Sequence, residues 1–129
     1  LPILPDYPLE RKKYLLKDAN AKLLLISHEE YVEEYGLPSI CVHNEMIYDE
    51  KNLICVRNPE DSIYIIYTSG TTGNPKGVII NNRNLLNMVE WQTREGNIND
   101  SSKILQNFTY VFDGSVWEIF CSGLSGACL

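Results

Sequence analysis

At 129 residues the chain is long enough for one domain with a genuine hydrophobic core, and its 44% hydrophobic and 22% charged residues suit a globular protein. Its net charge of −6 is spread over intermingled acids and bases with no basic patch, which argues against a nucleic-acid partner. No apolar run approaches membrane length and no charged-then-apolar leader opens the chain. The four cysteines (Cys41, Cys55, Cys121, Cys128) include no Cys-x-x-Cys pair, and the two histidines (His28, His43) add no zinc spacing. The expectation is a cytoplasmic protein with reduced thiols, no membrane contact and no metal site of its own.

Leu1 to Pro8 holds too many prolines for a central strand and reads as an extended entry. Pro8 suits the first turn of a helix whose inner stripe is Leu9, the Lys12 stem, Leu15, Leu16 and Ala19, ending near Asn20. Lys22–Ser27 is a short unbroken apolar run and reads as a buried strand. His28 to Tyr35 reads as a helix closed by Gly36, and Ser39–His43 as a second strand. Strand, helix and strand at this spacing predict a parallel pair with a right-handed crossover. Residues 44–59 have no period and read as a surface connection, while His28 and His43 sit alone at element edges as structural residues. The chain opens on Leu1-Pro2 without methionine and stops in the apolar run Gly126-Ala-Cys-Leu129, which reads as a piece of something longer.

Ser62-Ile-Tyr-Ile-Ile66 and Val78-Ile-Ile80 are β-branched and aromatic, the composition of strands. Between them runs Tyr67-Thr-Ser-Gly-Thr-Thr-Gly-Asn-Pro-Lys-Gly77, predicted to be a loop joining an antiparallel pair. Gly70 and Gly73 allow backbone conformations closed to other residues. Thr68, Ser69, Thr71 and Thr72 supply hydroxyls, and Lys76 one mobile positive charge. Gly-Thr-Thr-Gly alone would pass for a hairpin turn, yet two residues suffice to turn a hairpin. Hydroxyls, free N–H groups and a lysine over eleven residues suit an anion, nucleotide phosphate above all. The common P-loop is excluded, because Lys76 follows Pro75, precedes Gly77 and leads into a strand rather than a helix.

Asn81 or Asn82 is placed to cap a helix reaching about Glu95, with Leu85, Leu86, Val89 and Gln92 as its inner stripe and Gly96 as its stop. Lys103–Phe108 reads as a strand leading into a loop. In Phe112-Asp-Gly-Ser-Val-Trp-Glu-Ile-Phe120, Ser115 and Glu118 have the spacing of a capping box, so a helix is predicted from Val116 with Val116, Ile119 and Phe120 facing the core. Asp113 then lies just ahead of the helix, where the dipole favours a carboxylate. Two accounts of this segment stand side by side: Asp113 helps cap the helix and Trp117 packs in the core, or both face a ligand.

Residues Tyr67 to Gly77 resemble, without interruption, the phosphate-binding signature of the adenylate-forming (AMP-binding) enzymes. Pro2-Ile-Leu-Pro-Asp-Tyr-Pro-Leu-Glu-Arg11 is similar to another segment of that superfamily, with Leu4 where an acid is usual. Phe112 to Glu118 resembles the Phe-Asp-x-Ser-x-Trp-Glu motif of the adenylation domains of nonribosomal peptide synthetases. The resemblance implies a fragment (1–129, a single α/β unit) of the large N-terminal region of such an enzyme, with a largely parallel sheet, flanking helices and a hairpin carrying the phosphate loop. It also implies that Asp113 pairs with the α-ammonium of an amino-acid substrate and that Gly114 and Trp117 line its side-chain pocket. An unpaired ammonium in a partly dry pocket is costly, so one fixed carboxylate would both offset it and reject acids lacking the amine.

The implied chemistry is ATP-dependent activation of an amino acid to aminoacyl-AMP and pyrophosphate, followed by transfer to the phosphopantetheine thiol of a carrier protein. Thr68, Ser69, Gly70, Thr71, Thr72, Gly73, Lys76 and Gly77 would hold the phosphates, with Lys76 also neutralising charge that develops on the pyrophosphate side. Magnesium is expected with ATP, although no ligand for it is legible. Downstream adenine- and ribose-contacting motifs and a lid bearing a second lysine are absent, so the fragment alone is expected not to turn over. The rivals are an acyl-CoA synthetase, which has no need of Asp113, a D-alanine–carrier protein ligase, and a non-enzymatic interaction fragment that retains the loop.

Overall fold

The computed structural model describes residues 1–27, 35–42, 58–70 and 73–129. Pro8 starts the first element, since its ring holds φ near −52° and it has no N–H to leave unsatisfied; helix α1 follows as Leu9–Asp18. Leu15 and Leu16 are its buried pair. Asn20, at φ 51°, stops it, and the Ala21 N–H donates to the Leu16 carbonyl at 2.9 Å. The Arg11 guanidinium lies 4.2 Å above the Tyr7 ring.

Strands β1 (Leu24–Ile26) and β2 (Ser39–Cys41) pair in parallel, Leu25 opposite Ile40. The parallel pairing follows the sequence expectation, but the burial does not. Leu25 is 66% exposed, because a two-stranded sheet is too narrow to cover both of its faces. The helix expected over 28–35 and the connection over 44–59, with His28 and His43, fall largely on residues outside those described.

Strands β3 (Ser62–Thr68) and β4 (Lys76–Asn81) form an antiparallel pair with Ile66 opposite Val78, Tyr67 opposite Gly77 and Thr68 opposite Lys76. Residues 69–75 therefore connect adjacent strand ends. Asn81 closes β4 and at once caps α2 (Asn82–Glu95), its side-chain oxygen accepting from the Asn84 N–H at 2.8 Å. Leu85 and Val89, one turn apart, are buried, whereas Leu86 is 54% exposed, so the inner stripe is narrower than predicted.

Helix α3 (Asp113–Ser125) ends at Gly126 in the left-handed conformation. Val116 and Cys121 from α3 join Ile66, Leu85 and Val89 in one core, against which Tyr64, Ile80, Trp117 and Phe120 pack. Ile119 stays 41% exposed, contrary to its predicted inward face. The strand expected over Lys103–Phe108 shrinks to a single parallel bridge between Lys103 and Cys128. It goes no further because the N–H groups of Asn107 and Phe108 donate to the Glu118 side chain instead of to a neighbouring strand.

Residues 6–56 make one compact unit and residues 1–5 with 57–129 another. The core just described draws only on residues 64–121. Among the described residues the architecture is α/β, with one parallel and one antiparallel strand pair. No helix among them is long and apolar enough to cross a membrane.

Candidate functional site

The connection between β3 and β4 folds back tightly on itself. Gly73 has φ +97°, a region L side chains rarely adopt, and its N–H donates to the Gly70 carbonyl at 3.3 Å. A Cβ at Gly70 would stand 2.1 Å from the Asn74 carbonyl oxygen, so only glycine fits there. Thr68 and Ser69 lie exposed at the end of β3. Lys76, also exposed, begins β4 opposite Thr68, and its stem passes beside Gly70. Gly77 sits one residue further into β4, small enough for the Tyr67 ring to lie across it. Thr71 and Thr72 are outside the described residues. No carboxylate among the described residues pairs with the Lys76 ammonium. The tip thus presents a positive charge beside open hydroxyls with no acid among the described residues to neutralise it, a set suited to an anion.

The second constellation lies at the start of α3, and there the structure departs from the predicted capping box. The helix begins at Asp113, three residues before the predicted Val116, with Phe112 extended ahead of it and no side-chain cap. The Ser115 hydroxyl donates to the Phe112 carbonyl at 2.8 Å, and the Ser115 N–H donates to that same carbonyl at 3.1 Å. Glu118 turns away from Ser115 altogether. Its carboxylate accepts from the N–H of Asn107 at 3.1 Å and of Phe108 at 3.2 Å. The box fails because each of its members has a nearer partner in the preceding loop or turn.

Asp113 is exposed in the first turn of α3, where unsatisfied N–H groups favour a negative charge, and no cation among the described residues pairs with it. Gly114 is half-buried beside it, and Trp117 is half-buried one turn on against the core. Burial pushes the Tyr64 hydroxyl above the ordinary tyrosine value, and the negative charge of Asp113 pushes it further the same way. Asp113 is therefore within electrostatic reach of β3, the strand that leads into the 69–75 loop. Burial also raises the Cys121 thiol, against a smaller opposite effect from its hydrogen bond with the Thr93 side chain.

Near these positions the sequence gives no role to Tyr64 or Phe108, and it assigns Glu118 to a capping box rather than to the backbone of residues 107 and 108. For Glu118 a signal existed, since an acid set between Val116, Trp117, Ile119 and Phe120 must either break an apolar face or be buried with partners. A hollow of about 350 Å³ among residues 6–56, lined by Lys13, Leu16, Lys17, Asn20, Ala21, Tyr35 and Leu37, contains none of the residues singled out above. No three His, Cys, Asp or Glu side chains gather into a metal-binding group among the described residues.

Over residues 1–129 the chain matches the model of the AMP-binding enzyme family, and it belongs to that family. It is 37% identical over 131 residues to zwittermicin A synthase ZmaJ of Bacillus cereus, covering 98% of this chain and 25% of that protein. It is 39% identical over 140 residues to tyrocidine synthase 3 of Brevibacillus parabrevis, covering 98% of this chain and 2% of that protein. The chain thus spans a quarter or less of these curated relatives. Among solved structures it superposes on the nonribosomal peptide synthetase FmoA3 in its AMPPNP-bound form with a TM-score of 0.83 at 28% identity, over 98% of this chain and 14% of that one. The N-terminal subdomain of Klebsiella oxytoca NpsA, in complex with 3-hydroxyanthranilyl-AMSN, shares the fold with a TM-score of 0.80 at 23% identity, over 99% of this chain and 32% of that one.

Proposed function

We propose that this chain forms part of an ATP-dependent enzyme that activates an amino acid as its adenylate for nonribosomal peptide synthesis. The observation that carries the proposal is Asp113: an exposed carboxylate in the first turn of α3, paired with no cation among the described residues, whose charge acts on Tyr64 in the strand leading into the Thr68–Gly77 segment. Membership of the AMP-binding family, likeness to zwittermicin A synthase ZmaJ and tyrocidine synthase 3, and a solved neighbour that is a nonribosomal peptide synthetase holding AMPPNP support the same reading.

In this reading Asp113 pairs with the α-ammonium, and Gly114 and Trp117 line the side-chain pocket. Thr68, Ser69, Gly70, Thr71, Thr72, Gly73 and Gly77 hold the ATP phosphates with Lys76. The substrate carboxylate attacks the α-phosphorus, a new C–O–P bond forms, and the bond to the β-phosphate oxygen breaks to release pyrophosphate. Lys76 stabilises the charge that collects on that leaving group. Magnesium would arrive with ATP; the described residues gather no metal-binding cluster for it, so no step is assigned to it. A cytoplasmic carrier protein, through its phosphopantetheine thiol, would take the aminoacyl group.

ATP–pyrophosphate exchange by the full-length protein, across amino acids and their des-amino analogues, tests the proposal. Exchange with an amino acid but not its des-amino partner is the expected result. Exchange with acids lacking the amine would move the protein to the acyl-CoA synthetases, and exchange with no acid would overturn the enzymatic reading.

A further inference from the structure

Glu118 is 1% exposed, yet it carries a carboxylate into the half of α3 that faces the core. Its partners are main-chain groups in the loop before the helix: the Asn107 N–H at 3.1 Å and the Phe108 N–H at 3.2 Å, eleven and ten residues upstream. The Gln106 side chain donates to the Phe108 carbonyl, so both main-chain polar groups of Phe108 are held. The Thr109 carbonyl then accepts from the Phe112 N–H at 2.9 Å, a turn that delivers the chain to Asp113. The Phe108 ring is the product of this arrangement. A Cβ built at Gly114 would stand 2.6 to 2.8 Å from three atoms of that ring, so the ring rests directly on the Gly114 backbone. Gly114 is the neighbour of Asp113, and Phe108 itself remains 44% exposed.

We propose that Glu118 is a positioning residue for amino-acid recognition: its buried carboxylate clamps the Asn107–Phe108 backbone so that the Phe108 ring, seated on Gly114, walls the pocket beside Asp113 and limits the size of side chain admitted. The inference rests on the reading of Asp113 and Gly114 as pocket residues. Oε1 accepts from the Asn107 N–H and, at 3.4 Å, from the Phe108 N–H, while Oε2 accepts from Phe108 at 3.2 Å; glutamine reproduces this only in part, because it leaves one acceptor oxygen for both donors and sets its amide nitrogen against the shorter Phe108 contact. The clamp sets where the ring lies; the ring sets what fits.

The test uses the full-length protein with wild type, E118Q and F108A side by side. Pyrophosphate exchange is followed as a function of amino acid and of ATP, and deuterium exchange is followed at the amides of residues 104–112. For E118Q the expected result is an amino-acid KM raised about tenfold with the ATP KM within about twofold of wild type, and faster exchange of the Asn107 and Phe108 amides. For F108A it is unchanged protection of those amides and acceptance of amino acids with larger side chains. An amino-acid KM within about twofold of wild type in E118Q overturns the proposal, as does a rise of both KM values together, which marks general loss of structure. Should E118Q fail to fold, F108A decides alone: an unchanged side-chain preference overturns the wall. Failure of the underlying functional reading is distinct, because it appears in the wild type as exchange with no amino acid.

Discussion

The hairpin tip and the start of α3 stand on one core and are built in opposite ways. At the tip every determinant is local: Gly70 against Asn74, Gly73 at positive φ, Thr68 opposite Lys76 across the closing pair. At α3 the determinants come from a distance, with Glu118 holding amides ten and eleven residues away and Phe108 lying on Gly114. A locally closed loop suits a ligand common to a whole enzyme family, because its shape survives changes around it. A pocket assembled from separated residues can be retuned by altering any one of them. The comparison teaches that the two halves of the proposed reaction should respond separately to mutation.

The sharpest break comes from D113A. If Asp113 pairs with the substrate ammonium as proposed, removing the carboxylate costs about 2–5 kcal/mol, equal to roughly thirtyfold or more in kcat/KM for the amino acid. The ATP KM should hold within about twofold; equal loss in both would show that the regions are not separable. G70A probes the other side with the next largest effect. Its Cβ would meet the Asn74 carbonyl oxygen at 2.1 Å, an overlap that forces the loop open at a cost of about 1–3 kcal/mol. The ATP KM should rise about tenfold while discrimination between an amino acid and its des-amino analogue persists, and loss of that discrimination would sink the division of labour.

The same contrast explains what could be read from the chain before its fold. The β3–β4 pairing, Asn81 as cap, Asn20 as stop and the parallel β1–β2 pair all depend on residue type, turn chemistry and short-range pattern, and each follows from the sequence. The capping box at Ser115 and Glu118 did not form, because Glu118 is drawn to the backbone of a loop whose approach no spacing rule encodes. For the same reason Lys103–Phe108 has a strand's composition but only one bridge: the Ile104 N–H reaches Cys128, while those of Asn107 and Phe108 go to Glu118. Leu86 and Ile119 misled in another way, since an apolar residue at the edge of a helical stripe is inside or outside according to the width of the neighbouring element. The motif proposes Asp113, Gly114 and Trp117 as a group, whereas the nearness of Tyr64 depends on β3 and α3 sharing one core.

N81A should act on both regions alike and so serves as the control. Asn81 joins β4 to α2, capping the helix through Asn84 and donating to Glu60 at 3.1 Å. Loss of the cap should lower stability by about 1 kcal/mol. Thermal unfolding would register this, with both KM values unchanged; a shift in one KM alone would mean that the cap favours one region.

The smallest effect measures the link between the two. The Tyr64 hydroxyl is raised above its ordinary 10.0, first by burial and then by the charge of Asp113. A raised value means that the folded state favours the neutral phenol. That contribution to stability is fully present below the unfolded value near 10 and is lost as pH rises through the higher folded value. Wild type should therefore lose stability more steeply than Y64F above about pH 10, as followed by unfolding midpoints across an alkaline series. The difference in phenolate absorbance between wild type and Y64F isolates this one tyrosine. Repeating it in a D113N background removes the carboxylate charge, leaving burial alone, and the phenolate should then form at lower pH than in wild type. An unchanged titration would place Asp113 too far from β3 to influence it, and with that the amino-acid and phosphate regions would lose their shared frame.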